Sequence, residues 1–322
     1  HARILRGRED GELVAVADID LDQAKLVGAE NGGGFTKNHH RLIYGGSGDW
    51  DDPKREKKVD AVTVAVPTED HASVAIPILD SGIPVLVEKP IAASLAESDK
   101  MIQAASDGGT LLAVGHSERY NPAVTTAMPL VNEPRFIEVH RLSAFQGRGL
   151  DVDVIFDLMI HDLEVILHLV RSPVTQIDAV GVPVLTRYED IANARIRFEN
   201  GCVANITASR ISPERMRKIR VFQENCYLSL DYQEQNGKIF WTESGGIQQA
   251  EVEIFNQSDN DDLLNKFLNK FIKKLKVHGI EEPSDLLFEG VQLADKVKGD
   301  EVKLGDSEGE SFFFKMSNTI HN

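Results

Sequence analysis

Residues Asp151–Arg171 read DVDVIFDLMIHDLEVILHLVR. Set on a helix, this stretch is apolar on most sides, through Ile155, Phe156, Leu158, Met159, Ile160, Leu163, Val165, Ile166, Leu167 and Leu169. One polar stripe interrupts it. Asp153, Asp157, His161, Glu164 and His168 follow at steps of three or four and so share a face. A helix apolar nearly all round is buried. A carboxylate and an imidazole one turn apart inside it must be paired or must line a cavity. Asp157, four residues before His161, can fix that ring's tautomer and raise its basicity, as a proton-abstracting base requires. The same spacing fits a buried pair that only satisfies itself, and the helix alone does not separate these readings.

Upstream, short apolar runs alternate with helical patterns. Glu12–Asp18, Asp60–Pro67, Ile83–Val87 and Leu111–Gly115 read as strands, and Leu21–Glu30, Asp70–Asp80 and Ser94–Ser106 as the helices between them. Such alternation implies a parallel sheet with helices on its faces. Parallel sheets bind ligands beyond the carboxyl ends of their strands, where Asp18, Thr68, His71, Glu88, Lys89 and His116 fall. The connection from Gly32 to Lys58 predicts an irregular loop with at most one short strand. Its His39-His40 pair has no cysteines or acids converging on it, so no metal site is expected there.

Downstream the pattern changes. Arg119–Val131, which carries Asn121-Pro122, reads as a helix entry and Arg135–Phe145 as a half-exposed strand. After the central helix come strand-like runs at Val174–Val180, Ile191–Phe198, Cys202–Ser209, Lys218–Phe222, Cys226–Leu230, Lys238–Trp241 and Ile247–Ile254, with an Asn200-Gly201 hairpin turn. Short connections between successive strands predict an open antiparallel sheet packed on one side by the central helix. Two helices, Asp261–Val277 and Ser284–Val297, and a charged tail from Lys298 complete the reading. The chain divides into an α/β half over residues 1–117 and an α+β half over residues 118–322.

Composition narrows the function. The formal net charge is −16 and the basic residues are scattered, which argues against nucleic acid and anionic membranes as partners. No apolar run reaches the ~20 residues of a membrane span. The 2 cysteines make no disulfide framework, and a cytoplasmic setting is expected. The opening HARILRGREDG, without an initiator methionine, reads as a chain cut at its N-terminus.

A parallel nucleotide-binding-type half, a strand closed by Glu88-Lys89-Pro90, and Asp157-x-x-x-His161 on a buried helix before an antiparallel sheet together resemble the Gfo/Idh/MocA family. These are the glucose–fructose oxidoreductase and inositol dehydrogenase relatives. Val114–Pro122 (VGHSERYNP), Asp151–Asp162 and Ile191–Arg210 are similar to members that act on nucleotide sugars.

The resemblance implies a Rossmann-type dinucleotide-binding half, and a second half for substrate binding and oligomerisation. It implies an NAD(P)-dependent oxidoreductase that moves a hydride between a sugar or nucleotide-sugar carbon and nicotinamide. Lys89 would hold the reacting oxygen, and His161 would be the acid/base with Asp157 behind it. Pro67, Thr68, His71 and Glu88, with Lys89, would border the cofactor. Asp18 would take the adenosine ribose hydroxyls, and its charge disfavours a 2′-phosphate, so NAD is expected over NADP. Arg119, Tyr120 and Asn121 would face the substrate. No metal is expected at the site. The exposed sheet face predicts a homodimer or homotetramer.

The family's first strand and Gly-rich turn are expected before His1, outside this sequence. A chain without that turn is expected to hold pyrophosphate weakly. Two other readings stand beside the enzyme: a non-catalytic NAD or nucleotide-sugar binder, and a metal-dependent lyase using the stripe from Asp157 to His168.

Overall fold

The apolar runs of the first half become very short strands, buried in β4 and β5 and half-buried elsewhere. The computed structural model describes residues 1–9, 11–40, 43, 59–147, 152–243 and 246–252. They fall into two compact units, one from His1 to Gly115 and a second taking up the chain at His116.

In the first unit a short helix α1 (Ala2–Arg6) precedes β1 (Ala15–Ala17), which pairs in parallel with β2 (Gly34–Thr36) across helix α2 (Leu21–Asn31). Asp20 starts α2 by accepting the N–H groups of Asp22 and Gln23, and Gly32, at φ 77°, ends it in the left-handed conformation. A second parallel ladder runs β3 (Val62–Val64), β4 (Val85–Val87), β5 (Leu112–Val114). Its crossovers are α3 (His71–Asp80) and α4 (Leu95–Asp107). Ser94 caps α4: its Oγ accepts from Glu97 N–H and donates to the Glu97 carboxylate. Ile78, Leu79, Leu86 and Met101 are fully buried between these layers. Each such side chain contributes roughly 1.5–3 kcal/mol of burial.

In the second unit, helix α5 (Pro122–Ala127) and strand β6 (Pro134–Leu142) lead to a π-helical turn over Ile155–Met159, which runs directly into helix α6 (Ile160–Val170). Then follow β7 (Val174–Val182), β8 (Ile191–Phe198), β9 (Val203–Ser209), β10 (Met216–Gln223), β11 (Cys226–Asp231), β12 (Asn236–Glu243) and β13 (Gly246–Val252). With β6 they form one 8-stranded sheet in the order β13-β12-β11-β10-β6-β9-β8-β7. Inward residues alternate along the central strands, as Ala192, Ala194, Ile196 and Phe198 do on β8. They pack with Ile155, Met159, Ile160, Leu163 and Ile166 into one core. On the opposite face Phe136, Phe222, Tyr227 and Phe240 stand in register across β6, β10, β11 and β12, with ring centroids 5.6, 4.6 and 5.3 Å apart.

Two expectations need correction. The sheet is not wholly antiparallel, because β6 pairs in parallel with β9. The long helix that follows β6 carries the chain away, and the strand that returns to its side is the third one after it rather than the next. The helix entry expected within Arg119–Val131 falls at Asn121-Pro122, where a 3-10 turn (Ser117–Tyr120) gives way to α5, and a second 3-10 turn (Met128–Leu130) follows. Asn121 caps α5 at Pro122, which has no N–H to continue a helix from the turn before it. Among the described residues the central helix opens with a π-helical turn, not an α-helical one. Asp153 Oδ1 accepts the N–H groups of Ile155 and Phe156 and so starts the π-helical turn, and α6 takes over only at Ile160. The short strand expected within Gly32–Lys58 is β2, while residues 41–42 and 44–58 lie outside the described residues. So do the helices expected at Asp261–Val277 and Ser284–Val297 and the tail from Lys298.

Candidate active site

In the first unit the expected cofactor-side residues gather at the carboxyl ends of the parallel strands. Asp18 follows β1 directly. Its backbone N–H donates to Thr36 O at 3.1 Å, and its Oδ1 accepts Asp20 N–H at 2.8 Å, so a tight turn fixes the carboxylate. Pro67 is exposed at the start of the 3-10 turn Thr68–Asp70, and Thr68 is half-buried beside it.

His71 is buried, and its two ring nitrogens meet backbone oxygens: Nε2 lies 3.0 Å from Val66 O, and Nδ1 lies 2.9 Å from Pro90 O. The ring therefore ties the loop after β3 to the loop after β4. A border to the cofactor was expected of it; the contacts its ring makes are to the backbone of these two loops.

Glu88 and Lys89 close β4. Glu88 Oε1 lies 2.9 Å from His1 Nε2, and Oε2 accepts Lys89 N–H at 3.2 Å. Gly115, at the end of β5, lies against the same carboxylate, where an added Cβ would come within 3.2 Å of Oε2. Burial pushes the Glu88 carboxyl up, but the bond to His1 and the neighbouring charges of His1 and Lys89 outweigh it and hold it below the usual range.

In the second unit Arg119 sits in the 3-10 turn and donates through Nε and a terminal nitrogen to Glu164 Oε1 on α6. Tyr120 is buried, and burial pushes its phenol above the ordinary range despite the opposing pull of Arg119. Asn121 is 1% exposed, with Nδ2 donating to Glu118 Oε1 at 2.9 Å and Tyr232 O at 3.1 Å, and Oδ1 accepting Ala123 N–H at 3.0 Å. A substrate contact was expected of Asn121; its amide is committed to capping α5 and holding Glu118.

Asp157 lies in the π-helical turn and His161 in the first turn of α6, both half-buried. The remaining members of the stripe diverge in use. Asp153 is a cap and Glu164 binds Arg119. Among the described residues no group of three or more His, Cys, Asp or Glu is placed to hold a metal ion.

Sequence reasoning passed over two buried charge clusters. Arg141 on β6 donates through Nε and a terminal nitrogen to Asp162 at 2.6 and 3.0 Å, and to Glu118 Oε2 at 3.1 Å. Burial disfavours the Arg141 cation, but the charges of Asp162 and Glu118 more than offset this and hold it protonated. The second cluster joins Asp190 and Arg210. The signal for Arg141 was present: it follows Ile137 and Val139 at the inward period of two, and a charge in that phase must find a buried partner.

A parallel α/β unit bearing a strand-end acid and a strand-end lysine, followed by a helix-covered open sheet with an Asp–His step, defines a nucleotide-dependent oxidoreductase architecture. Residues 1–116 match the family model described as oxidoreductase family, NAD-binding Rossmann fold, and residues 134–229 match the GFO/IDH/MocA C-terminal domain. The chain belongs to the Gfo/Idh/MocA oxidoreductase family. It is 39% identical over 176 residues to UDP-N-acetylglucosamine 3-dehydrogenase of Acidithiobacillus ferrooxidans, covering 54% of this chain and 56% of the relative. It is 26% identical over 173 residues to the scyllo-inositol 2-dehydrogenase (NAD(+)) of Bacillus subtilis, covering 48% and 50%. The chain thus spans about half the length of these curated relatives. A solved structure of the A. ferrooxidans protein superposes with a TM-score of 0.82 at 27% identity, covering 99% of this chain and 93% of that one. No helix among the described residues is long and apolar enough to cross a membrane.

Proposed function

We propose that the protein is an NAD-dependent dehydrogenase that oxidises a hydroxyl of a nucleotide sugar, with UDP-N-acetylglucosamine the first substrate to try. The observation that carries the reading is the 39% identity over 176 residues to a dehydrogenase of that sugar nucleotide. It is supported by an acid at the end of β1 and a lysine at the end of β4, with Asp157 and His161 on the helix of the second unit.

The residues of the first unit fit a dinucleotide. Asp18 offers an acceptor-only group to two ribose hydroxyls, and its charge repels a 2′-phosphate, which favours NAD. Pro67, Thr68 and the Glu88–Lys89 segment would border the ring-bearing half, braced from below by His71. When bound, NAD supplies the nicotinamide that takes up the hydride. His161 accepts the proton from the substrate hydroxyl at a ring nitrogen, and Asp157 stabilises the imidazolium that results. The Lys89 ammonium offsets the charge that develops on the substrate oxygen as that proton leaves. Arg119, already paired with Glu164, presents a cation toward the substrate's anionic portion.

The open face of the sheet, with its row of four aromatic rings, supports self-association as a homodimer or homotetramer. The cysteines Cys202 and Cys226 are free, which suits a reducing cytoplasm.

The test is the appearance of NADH absorbance when the intact protein is mixed with NAD and UDP-N-acetylglucosamine, with UDP-glucose and myo-inositol as comparisons. Turnover of a sugar nucleotide above the inositol rate is the expected result. Preference for inositol would move the substrate assignment, and no turnover with any of the three would sink it.

A further inference from the structure

We propose that Arg141 is a positioning residue for His161, a role that rests on the dehydrogenase reading above. In α6 each residue advances by about 100° around the axis. His161 therefore lies on the arc between Glu164 and Asp162. Both flanks of that arc are gripped. Asp162 is held by Arg141 from β6, and Glu164 by Arg119 from the 3-10 turn Ser117–Tyr120.

The two grips are not independent. Arg141 also binds Glu118, the chain neighbour of Arg119, and Glu118's second oxygen is held by Asn121. One guanidinium thus joins the residue after His161 to the residue before Arg119. The roll of α6 about its axis, and with it the direction of His161, is fixed relative to the turn that carries Arg119.

The chemistry of the cluster argues for direction rather than cohesion. Arg141 is 2% exposed, Asp162 1% and Glu118 8%. Apolar side chains of the same volume hold a helix to a sheet as well as a buried ion pair does, because the pair must first be desolvated. What apolar contacts cannot do is select one rotation of the helix. A planar guanidinium with donors on two edges does so, and a lysine, with its point charge, does not. The Tyr232 ring, 5.9 Å from the Arg141 guanidinium, and Arg217 on β10 complete the surroundings.

The experiment uses full-length protein labelled with 15N-histidine, with the His161 ring signals assigned through His161→Gln. Arg141→Lys retains the charge and removes the fork. Its expected effect is displaced or doubled His161 ring signals with those of His71 unchanged. Turnover with NAD and UDP-N-acetylglucosamine should show kcat lowered by about 10-fold or more at an unchanged KM for NAD. Wild-type His161 signals together with wild-type kcat, whatever the melting temperature, would overturn the proposal. Should Arg141→Lys not fold, Asp162→Asn breaks the same grip from the helix side and is read in the same way. If wild-type protein turns over no substrate, the functional reading fails, and the ring signals alone decide whether Arg141 sets His161.

Discussion

Arg210 Nε donates to Asp190 Oδ1 at 2.9 Å, and neither residue touches solvent to any extent. The rest of the cluster converges on them. Asp190 Oδ2 accepts the backbone N–H groups of Val184, Leu185 and Thr186 at 2.9, 2.6 and 2.9 Å. Arg210 spends a terminal nitrogen on Val152 O at 2.8 Å, just ahead of the π-helical turn. The pair therefore joins the ends of β8 and β9 to the start of the segment that bears Asp157.

That arrangement has a pH signature. Burial would raise the Asp190 carboxyl, but the three backbone donors and Arg210 outweigh it and hold it well below the usual aspartate range. A carboxyl depressed in the folded state contributes its full stability above the unfolded value of about 3.9 and loses it as the pH falls through that value toward the folded one. Asp190→Asn should be less stable than wild type near neutrality by about 3–5 kcal/mol. The two melting curves should approach each other on going from about pH 5 to about pH 3. Curves that stay parallel over that range would show that Asp190 does not titrate as argued.

His161→Asn should keep the fold and lower turnover by roughly 10²–10⁴-fold, as removal of a general base does. Asp157→Asn should cost less, because it alters the tautomer and basicity of the ring without deleting it. Melting temperature and turnover per folded molecule, measured on the same preparations, separate this from a structural pair. Lower stability with undiminished turnover in both variants would return the two residues to the core.

Lys89→Ala should lower kcat by at least about 10²-fold while NAD binding, followed by quenching of protein fluorescence, stays near wild type. The expectation follows from its place beyond β4, next to a Glu88 carboxylate already engaged by His1 and by the Lys89 N–H. Wild-type turnover in this variant would remove Lys89 from the chemistry.

Asp18→Ser should move cofactor preference toward NADP by lifting the repulsion of a 2′-phosphate. Serine can still accept the Asp20 N–H that now reaches Asp18 Oδ1, so the turn is expected to survive. The ratio of kcat/KM for the two cofactors is the measurement. A wild-type protein that already prefers NADP contradicts the assignment.

Much of the fold was legible because its signals are local. Runs such as Val85–Val87 announce buried strands, and Ser94 with Glu97 marks the start of α4. Asn200-Gly201 turns the β8–β9 hairpin as its sequence suggests: Gly201 takes φ 85°, and Asn200 Oδ1 accepts Cys202 N–H at 3.0 Å. What escaped depends on distant residues. Nothing in IFDLM distinguishes a π-helical turn from an α-helical one, since its apolar residues suit either. The sequence did not announce the partners of the Asn121 amide, because one of them, Tyr232 O, comes from just beyond the end of β11. Around the candidate site, the residue types at strand ends could be read off, but not the carboxylate pairings of Arg119 and Arg141, whose partners lie on another element.

The place of β6 in its sheet also sets an order of events. Its two neighbours, β9 and β10, both lie far downstream, and neither is joined to it by a tight turn. The hairpins β7–β8 and β8–β9 close short loops and can form early, whereas β6 must wait for long loops whose closure entropy opposes pairing. On a growing chain β6 is the first strand of this sheet to emerge and stays unpaired while β7 and β8 form. Until β9 and β10 arrive, its apolar Ile137 and Val139 have no neighbouring strand on either side, which makes this segment the natural point at which a nascent chain would aggregate or call on a chaperone.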